Sequence, residues 1–253
     1  LKVTFLGTGT SQGIPIIGST HPVCLSTNPK DKRLRVSVLI EWDDLSVLID
    51  CSPDFRQQLL RTSCTKIDAV LFTHEHNDHT AGLDDLRPFY FRQGNLHIYA
   101  HERVLNALKQ RFGYIFKTEN KYPGVLSLET HSIQNKFFYI GQKKILPIEV
   151  FHHKLPVFGF RVGSFAYITD AKTVSDTELD KLKNLDVLVV NALRIEPHLS
   201  HFNLEEALAF IEKVSPKKAY LTHISHHLGF HDEVQKTLPQ SVHLAYDQLE
   251  IYL

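Results

Sequence analysis

One run constrains this chain more than any other: Ala69-Val70-Leu71-Phe72-Thr73-His74-Glu75-His76-Asn77-Asp78-His79. An apolar stretch of strand length ends, and four metal-binding side chains follow within six residues. Residues two apart in an extended segment project to one side, so His74 and His76 are placed to hold a single ion. Asp78 and His79 then turn toward a different point, which suits a second ion nearby. Nitrogen and carboxylate donors of this kind suit zinc, manganese or iron better than calcium. A solvated polar loop would not need three imidazoles and a carboxylate on the rim of a buried strand.

Composition sharpens that reading. Sixteen histidines cluster around positions 74–79, 152–153, 198–201 and 223–231 instead of being spread along the 253 residues. Imidazole is the commonest metal ligand and the usual proton carrier near neutral pH. Lys+Arg 28 balances Asp+Glu 28, whereas a duplex-coating protein would carry a clear basic excess. Apolar runs are only a few residues long, so no membrane span is expected, and no secretion signal is recognised. Cys24, Cys51 and Cys64 cannot form a paired disulfide framework, which points to a reducing, cytoplasmic setting.

Strand-like runs recur at Val3–Leu6, Val36–Glu41, Val47–Ile49, Ala69–Phe72, His97–Ala100, Ile145–Phe151, Phe158–Val162, Phe165–Ile168, Val187–Val190, Ala219–Leu221 and Val242–Leu244. Helical spacing appears at Pro53–Arg61, Glu102–Phe112, Asp176–Leu182, Leu204–Val214 and Asp232–Leu238. Asn203 and Glu206 form a capping-box pattern ahead of the fourth helix. This order predicts sheets with helices on their outer faces, in one domain over 1–253. The stretch from Gly113 to Gly141 has weak periodicity and reads as a long loop or lid. Tyr90, Tyr114 and Tyr122 could line a pocket if that loop folds over the metals.

The complete signature His-x-His-x-Asp-His, present as His74, His76, Asp78 and His79, resembles the metallo-β-lactamase superfamily. The resemblance implies an α/β (α+β) fold, a four-layer αββα sandwich. It also implies three further ligands: a distal histidine at His152, with His153 able to exchange with it, a bridging Asp170, and a final His223. His74, His76, His152 and Asp170 would then hold one divalent ion, zinc or manganese, and Asp78, His79, Asp170 and His223 the other. Asp50, ending Val47-Leu48-Ile49, matches the superfamily's strand-end aspartate, which supports the ligands from behind.

Gly7-Thr8-Gly9-Thr10-Ser11-Gln12-Gly13-Ile14-Pro15, the segment Asn28–Arg35 and Thr222-His223-Ile224-Ser225-His226 are similar to the phosphoribosyl cyclic phosphodiesterases (PhnP-like). That resemblance spans Val3 to about Leu228. It implies opening of a cyclic phosphodiester on a phosphorylated ribose by hydroxide held at two divalent ions, with Asp78 and His201 in the catalytic set. His201 would bind phosphate or act as general acid, although a helix-capping histidine is the simpler alternative. Arg33, Arg35 and Lys154 are candidates for a second phosphate, set against the more common solvated basic turn over Lys30–Arg35.

One departure stands out. That family holds a separate structural zinc through Cys-x-Cys-x-x-Cys and a later histidine, where this chain has Ser19, His21, Cys24 and His226. Serine is a poor zinc ligand, so the segment is either a three-residue zinc site of His21, Cys24 and His226 or a hydrogen-bonded loop. The expected partner is a small phosphorylated substrate, not nucleic acid or a membrane, and a homodimer is left open. Two other readings remain: hydrolysis of another small ester (lactone or thioester), and tRNA 3′-end processing. Only seventeen residues separate His152 from Asp170, too few for the tRNA-grasping arm of such nucleases.

Overall fold

In the strand Ser46–Ile49 all but the first residue is buried, and in Ala69–Leu71 all are. Such strands need cover on both faces. The computed structural model, which describes residues 1–117 and 119–253, shows how that cover arises. Two mixed sheets stack face to face, and helices coat their outer sides.

The first sheet runs, edge to edge, through Glu250–Tyr252, Lys2–Gly7, Ser37–Glu41, Ser46–Ile49, Ala69–Leu71, Leu96–Ala100 and Leu128–Ser132. Its last four strands are parallel. The second runs through Thr173–Val174, Lys143–His152, Leu155–Val162, Phe165–Tyr167, Val187–Asn191, Lys218–Thr222 and Val242–Leu244, with Phe138–Ile140 paired to Lys143–His152. Here too the final four strands are parallel. Parallel strands deliver their carboxyl ends to one edge, the usual place for a site in α/β sheets. Asp50 and the histidine loop leave one such edge, and Asp170 and His223 leave the other.

Val3, Phe5, Ile40, Val47, Leu71, Phe160, Tyr167 and Val189 form the apolar layer between the sheets. On the outer side of the first sheet, Val70 and Ile98 pack with Leu86, Phe89, Val104 and Leu108. The second sheet has the same arrangement, with Val150, Ile168 and Val190 against Ala207, Phe210 and Val234. The result is the expected αββα sandwich.

Expected helices form at Glu102–Arg111 and Leu204–Val214. The capping box is present: Asn203 Oδ1 accepts from Glu206 N–H at 2.9 Å, and Glu206 Oε2 accepts from Asn203 N–H at 3.0 Å. Apart from position 118, which lies outside the described residues, the stretch 113–141 is not one loop. It contains the helix Gly113–Phe116 and the strands Leu128–Ser132 and Phe138–Ile140. Leu128–Ser132 is an edge strand with no fully buried residue, so it lacks the apolar alternation that would mark it in sequence.

Side chains of the basic run over Lys30–Arg35 are engaged with groups of the fold itself. Arg33 is 3% exposed, and its Nη1 donates to Thr8 Oγ1 at 2.8 Å and to the Ala245 carbonyl at 2.5 Å, while Nη2 faces His231 Nδ1 at 3.0 Å. Burial pushes its pKa down to about 10, so it stays charged at neutral pH. Arg35 Nε pairs with Asp54 Oδ2 at 3.0 Å, Lys32 Nζ donates to the Cys24 carbonyl at 2.9 Å, and Lys30 lies over the Tyr246 ring. Arg33 thus joins the glycine-rich first loop to the last strands. Replacing it by methionine, Arg33→Met, should lower stability by about 3 kcal/mol, measured by urea unfolding, because its buried partners lose their donor. Unchanged stability with a selectively raised KM would return Arg33 to a phosphate-binding role.

Candidate metal centre

Three site residues sit just past strand ends in the left-handed region: Asp50 (φ 61°), Asp170 (φ 56°) and His223 (φ 55°). Non-glycine residues held there cost about 1–3 kcal/mol each and persist only where surrounding structure over-determines them. The histidine loop is extended as far as His76, then makes one helical turn over Asn77–Thr80. That turn brings Asp78 and His79 beside His223, with the His79 ring still only 4.2 Å from that of His74.

The loop is clamped from several sides. Arg103 Nη1 donates to Glu75 Oε1 at 2.9 Å and Nη2 to the Pro156 carbonyl at 2.6 Å. Arg111, two turns along the same helix, donates to the Glu75 carbonyl at 2.8 Å and to Thr80 Oγ1 at 2.6 Å. Cys51 N–H donates to the His79 carbonyl at 2.8 Å, and Gly82 N–H to the Cys51 carbonyl at 2.9 Å. A Cβ at Gly82 would stand 2.2 Å from Ser52 O, so this close backbone approach requires glycine.

Asp50 organises the donors behind the loop. Its carboxylate accepts from Thr73 N–H at 2.9 Å, Thr73 Oγ1 at 2.9 Å and His79 Nδ1 at 2.6 Å. With its hydroxyl proton given to Asp50, Thr73 Oγ1 is left to accept from His74 Nδ1 at 3.0 Å. His152 Nδ1 donates to the Ser200 carbonyl at 2.8 Å. In His74, His79 and His152 these bonds occupy Nδ1 with a proton and leave the Nε2 lone pair free, which is how a carboxylate or carbonyl behind a histidine prepares it as a ligand. Thr73, Ser200, Arg103 and Arg111 carried no signal in the sequence, because each acts through residues distant in the chain.

The free nitrogens converge on Asp170. Its Oδ1 lies 3.4 Å from His79 Nε2 and 3.2 Å from His223 Nε2, while Oδ2 lies 3.6 Å from His74 Nε2 and 3.3 Å from His201 Nε2. Asp78 Oδ2 is 3.3 Å from His79 Nε2 and 3.7 Å from His223 Nε2. Ligand atoms about 3.4 Å apart are what a tetrahedral ion with metal–nitrogen bonds near 2.0–2.1 Å requires. His74, His76 and Asp170 form one close donor group, and Asp78, His79 and His223 another. Among the described residues, buried His74 Nε2, His79 Nε2 and both ring nitrogens of His223 have no hydrogen-bond partner. Burial alone would raise the Asp170 pKa, but His223, His79 and His201 outweigh it and hold the group well below the usual carboxylate range. Orphaned, converging nitrogens around buried carboxylates fit divalent metal ions.

His152 faces this centre and His153 does not. The His152 ring lies 5.2 Å from that of His76 and 4.4 Å from that of His201, whereas His153 is exposed on the turn with φ 56°. Exposed Lys154 occupies the same turn. His201 is buried beside Asp170, with Nδ1 3.1 Å from Ser200 Oγ. Burial pushes its pKa down to about 4, partly offset by Asp170, so it is a neutral imidazole at pH 7. Helix capping is left to Asn203.

Around the expected structural zinc, His21 Nδ1 accepts from Val23 N–H at 3.3 Å and caps the short helix Pro22–Leu25. Its ring lies 4.7 Å from that of His226 and 5.6 Å from that of His227. Among the described residues, His21, Cys24 and His226 do not form a close donor group. Tyr114 and Tyr122 line a hollow of about 420 Å³ with Arg87, Phe91 and Lys117. Tyr90 packs instead against the outer helical layer.

Known proteins share this fold. Residues 46–224 match the model of the β-lactamase superfamily domain. A crystal structure described as a new diphosphatase from the PhnP family superposes with a TM-score of 0.93 at 39% identity, covering 100% of this chain and 97% of that one. An octanoyltransferase of Porphyromonas gingivalis is 39% identical over 99% of this chain and 51% of its own length. A ribonuclease Z of Methanococcus maripaludis is 24% identical over 74% of this chain and 54% of its own. The chain thus spans about half the length of the curated relatives it matches.

The Asp50→Asn substitution places an amide where three donors need an acceptor. It should weaken metal retention by about 10–100-fold, measured by competition with a chelator, while circular dichroism stays unchanged. Full retention would mean that Asp50 serves the strand end alone.

Proposed function

The chain belongs to the metallo-β-lactamase superfamily, and on that premise we propose that it is a dinuclear metal-dependent phosphodiesterase. The Asp170 carboxylate carries the reading, one oxygen turned to His74 and the other to His79 and His223. A carboxylate shared in this way suits two cations, one with His74, His76 and His152, the other with Asp78, His79 and His223. Zinc and manganese both suit the donors. When bound, such a pair supplies Lewis-acid charge for a phosphoryl oxygen and acidifies a water.

The protein's own residues do the rest. Asp50 and Thr73 fix His79 and His74, and the Ser200 carbonyl fixes His152, so these three need not reorient when substrate arrives. His76 is exposed and His152 half-buried, so the substrate enters from that side. His201 Nε2 stands 3.3 Å from Asp170 Oδ2, where it can donate a hydrogen bond to a phosphoryl oxygen. An anionic oxygen beside it opposes the effect of burial and favours the protonated ring, which allows proton transfer to the leaving alkoxide.

The substrate we favour is a cyclic phosphodiester of a phosphorylated ribose. Support comes from the segments at Gly7–Pro15 and Thr222–His226 and from the PhnP-family diphosphatase at 39% identity, whose description widens the class to phosphoric anhydrides. With Arg33 and Arg35 committed to the fold, a second phosphate would have to be met by Lys154 or by other cations. Thioester or lactone hydrolysis is the second reading, favoured by the octanoyltransferase relative, half of which lies outside the match. Processing of tRNA is disfavoured, because the strands Leu155–Val162 and Phe165–Tyr167 fill the interval between His152 and Asp170.

The test pairs metal analysis with turnover of bis(p-nitrophenyl) phosphate, a ribose cyclic phosphate and an octanoyl thioester, each with zinc or manganese added. At least two ions per chain and metal-dependent phosphodiester turnover are expected. His201→Ala should lower kcat by about 10²-fold or more with metal content unchanged. Turnover of the thioester alone would replace this reading with the second one.

A further inference from the structure

The sheet edge farthest from Glu250–Tyr252 carries a second group of metal-binding side chains, none used above. In the parallel pair Leu96–Ala100 and Leu128–Ser132, His97 stands opposite Glu129 and Tyr99 opposite His131. Glu129 and His131, two residues apart, project to one face of the strand, and His97 meets them from the neighbouring strand. His97 Nδ1 lies 3.0 Å from His131 Nε2 and 3.4 Å from Glu129 Oε2. Donor atoms of all three residues lie within 4.8 Å of one another.

Neighbouring residues hold each donor in place. Asn95 Nδ2 donates to Glu129 Oε1 at 3.1 Å, which leaves Oε2 for His97 or for an ion. The Tyr99 ring stacks on His131 at 4.3 Å and 13°, and Phe138 stacks on Tyr99 at 5.4 Å and 15°. Burial and the nearby His97 lower the His131 pKa, which keeps its lone pair available near neutral pH. The His97 and Glu129 side chains are 40% and 49% exposed, so a cation reaches them directly from solvent. Without a metal, a shared proton between the two imidazoles occupies the same gap.

We propose that His97, Glu129 and His131 form a separate binding site for a divalent transition metal such as zinc. Two imidazoles and a carboxylate supply three protein ligands, and water completes the coordination. His97 is in register with Ala69, five residues before His74, so the site is set back from the catalytic edge. A bound ion ties the outermost strand, hydrogen-bonded on one side only, to its neighbour.

The test counts zinc per chain after equilibrium dialysis of the full chain and of His97→Ala and Glu129→Gln. At a free zinc concentration just sufficient to fill the site in the intact chain, that chain should hold measurably more zinc than either variant, and its thermal midpoint should rise further when zinc is added. Glu129→Gln should weaken that extra ion by about tenfold or more. Phosphodiester turnover should be unchanged in both, which separates this ion from those at Asp170. If His97→Ala fails to fold, Glu129→Gln decides, since it keeps the shape of an exposed side chain. Equal zinc counts in the intact chain and Glu129→Gln would overturn the site.

Discussion

Buried imidazole nitrogens with no hydrogen-bond partner, on His74, His79 and His223, are the constraint to which the rest of this structure answers. Each such group costs about 1–3 kcal/mol when taken from water. The left-handed conformations of Asp50, Asp170 and His223 add a further cost at the same place. Neither is tolerated unless the surrounding fold holds it firmly, and two stacked sheets with parallel strand ends on one edge do so. A divalent ion gives these nitrogens the partner they lack, so binding of metal and stability of the native state are linked.

The supporting interactions are arranged in depth. Asp50 holds Thr73 and His79, Thr73 holds His74, Arg103 holds the Glu75 side chain and Arg111 the Glu75 carbonyl. The Ser200 carbonyl holds His152, and the next residue, His201, reaches Asp170, so one short segment serves both a ligand and a candidate proton carrier. Arg33 acts at longer range, joining the first loop to the Ala245 carbonyl. Charged residues that look like substrate-binding groups in isolation are used here to close the fold.

Much of the site was legible because it is local. The spacing of His74, His76, Asp78 and His79 expresses itself directly as an extended segment followed by one helical turn. The apolar runs before Asp50 and the histidine loop foretold buried strands for the same reason, and Asn203 with Glu206 foretold a helix start. Less was legible between 113 and 141, where the edge strand Leu128–Ser132 buries no residue fully and so leaves no periodic trace. The burial of Arg33 was not legible, because a run of cations in sequence carries no record of it, whereas in the fold the side chain is enclosed by Thr8, Ala245 and His231.

By itself, then, the sequence determined the types of donor at the candidate centre, the strand that presents the first four of them, and the layered architecture, all of which follow from spacing and apolar period. The tertiary structure decided which of His152 and His153 faces the centre, since only the turn geometry orients them. It also set the two oxygens of Asp170 between different histidines and placed His97 beside Glu129 and His131. These contacts join residues tens of positions apart. Strand register and sheet stacking bring them together, and neither is written in any local stretch of chain.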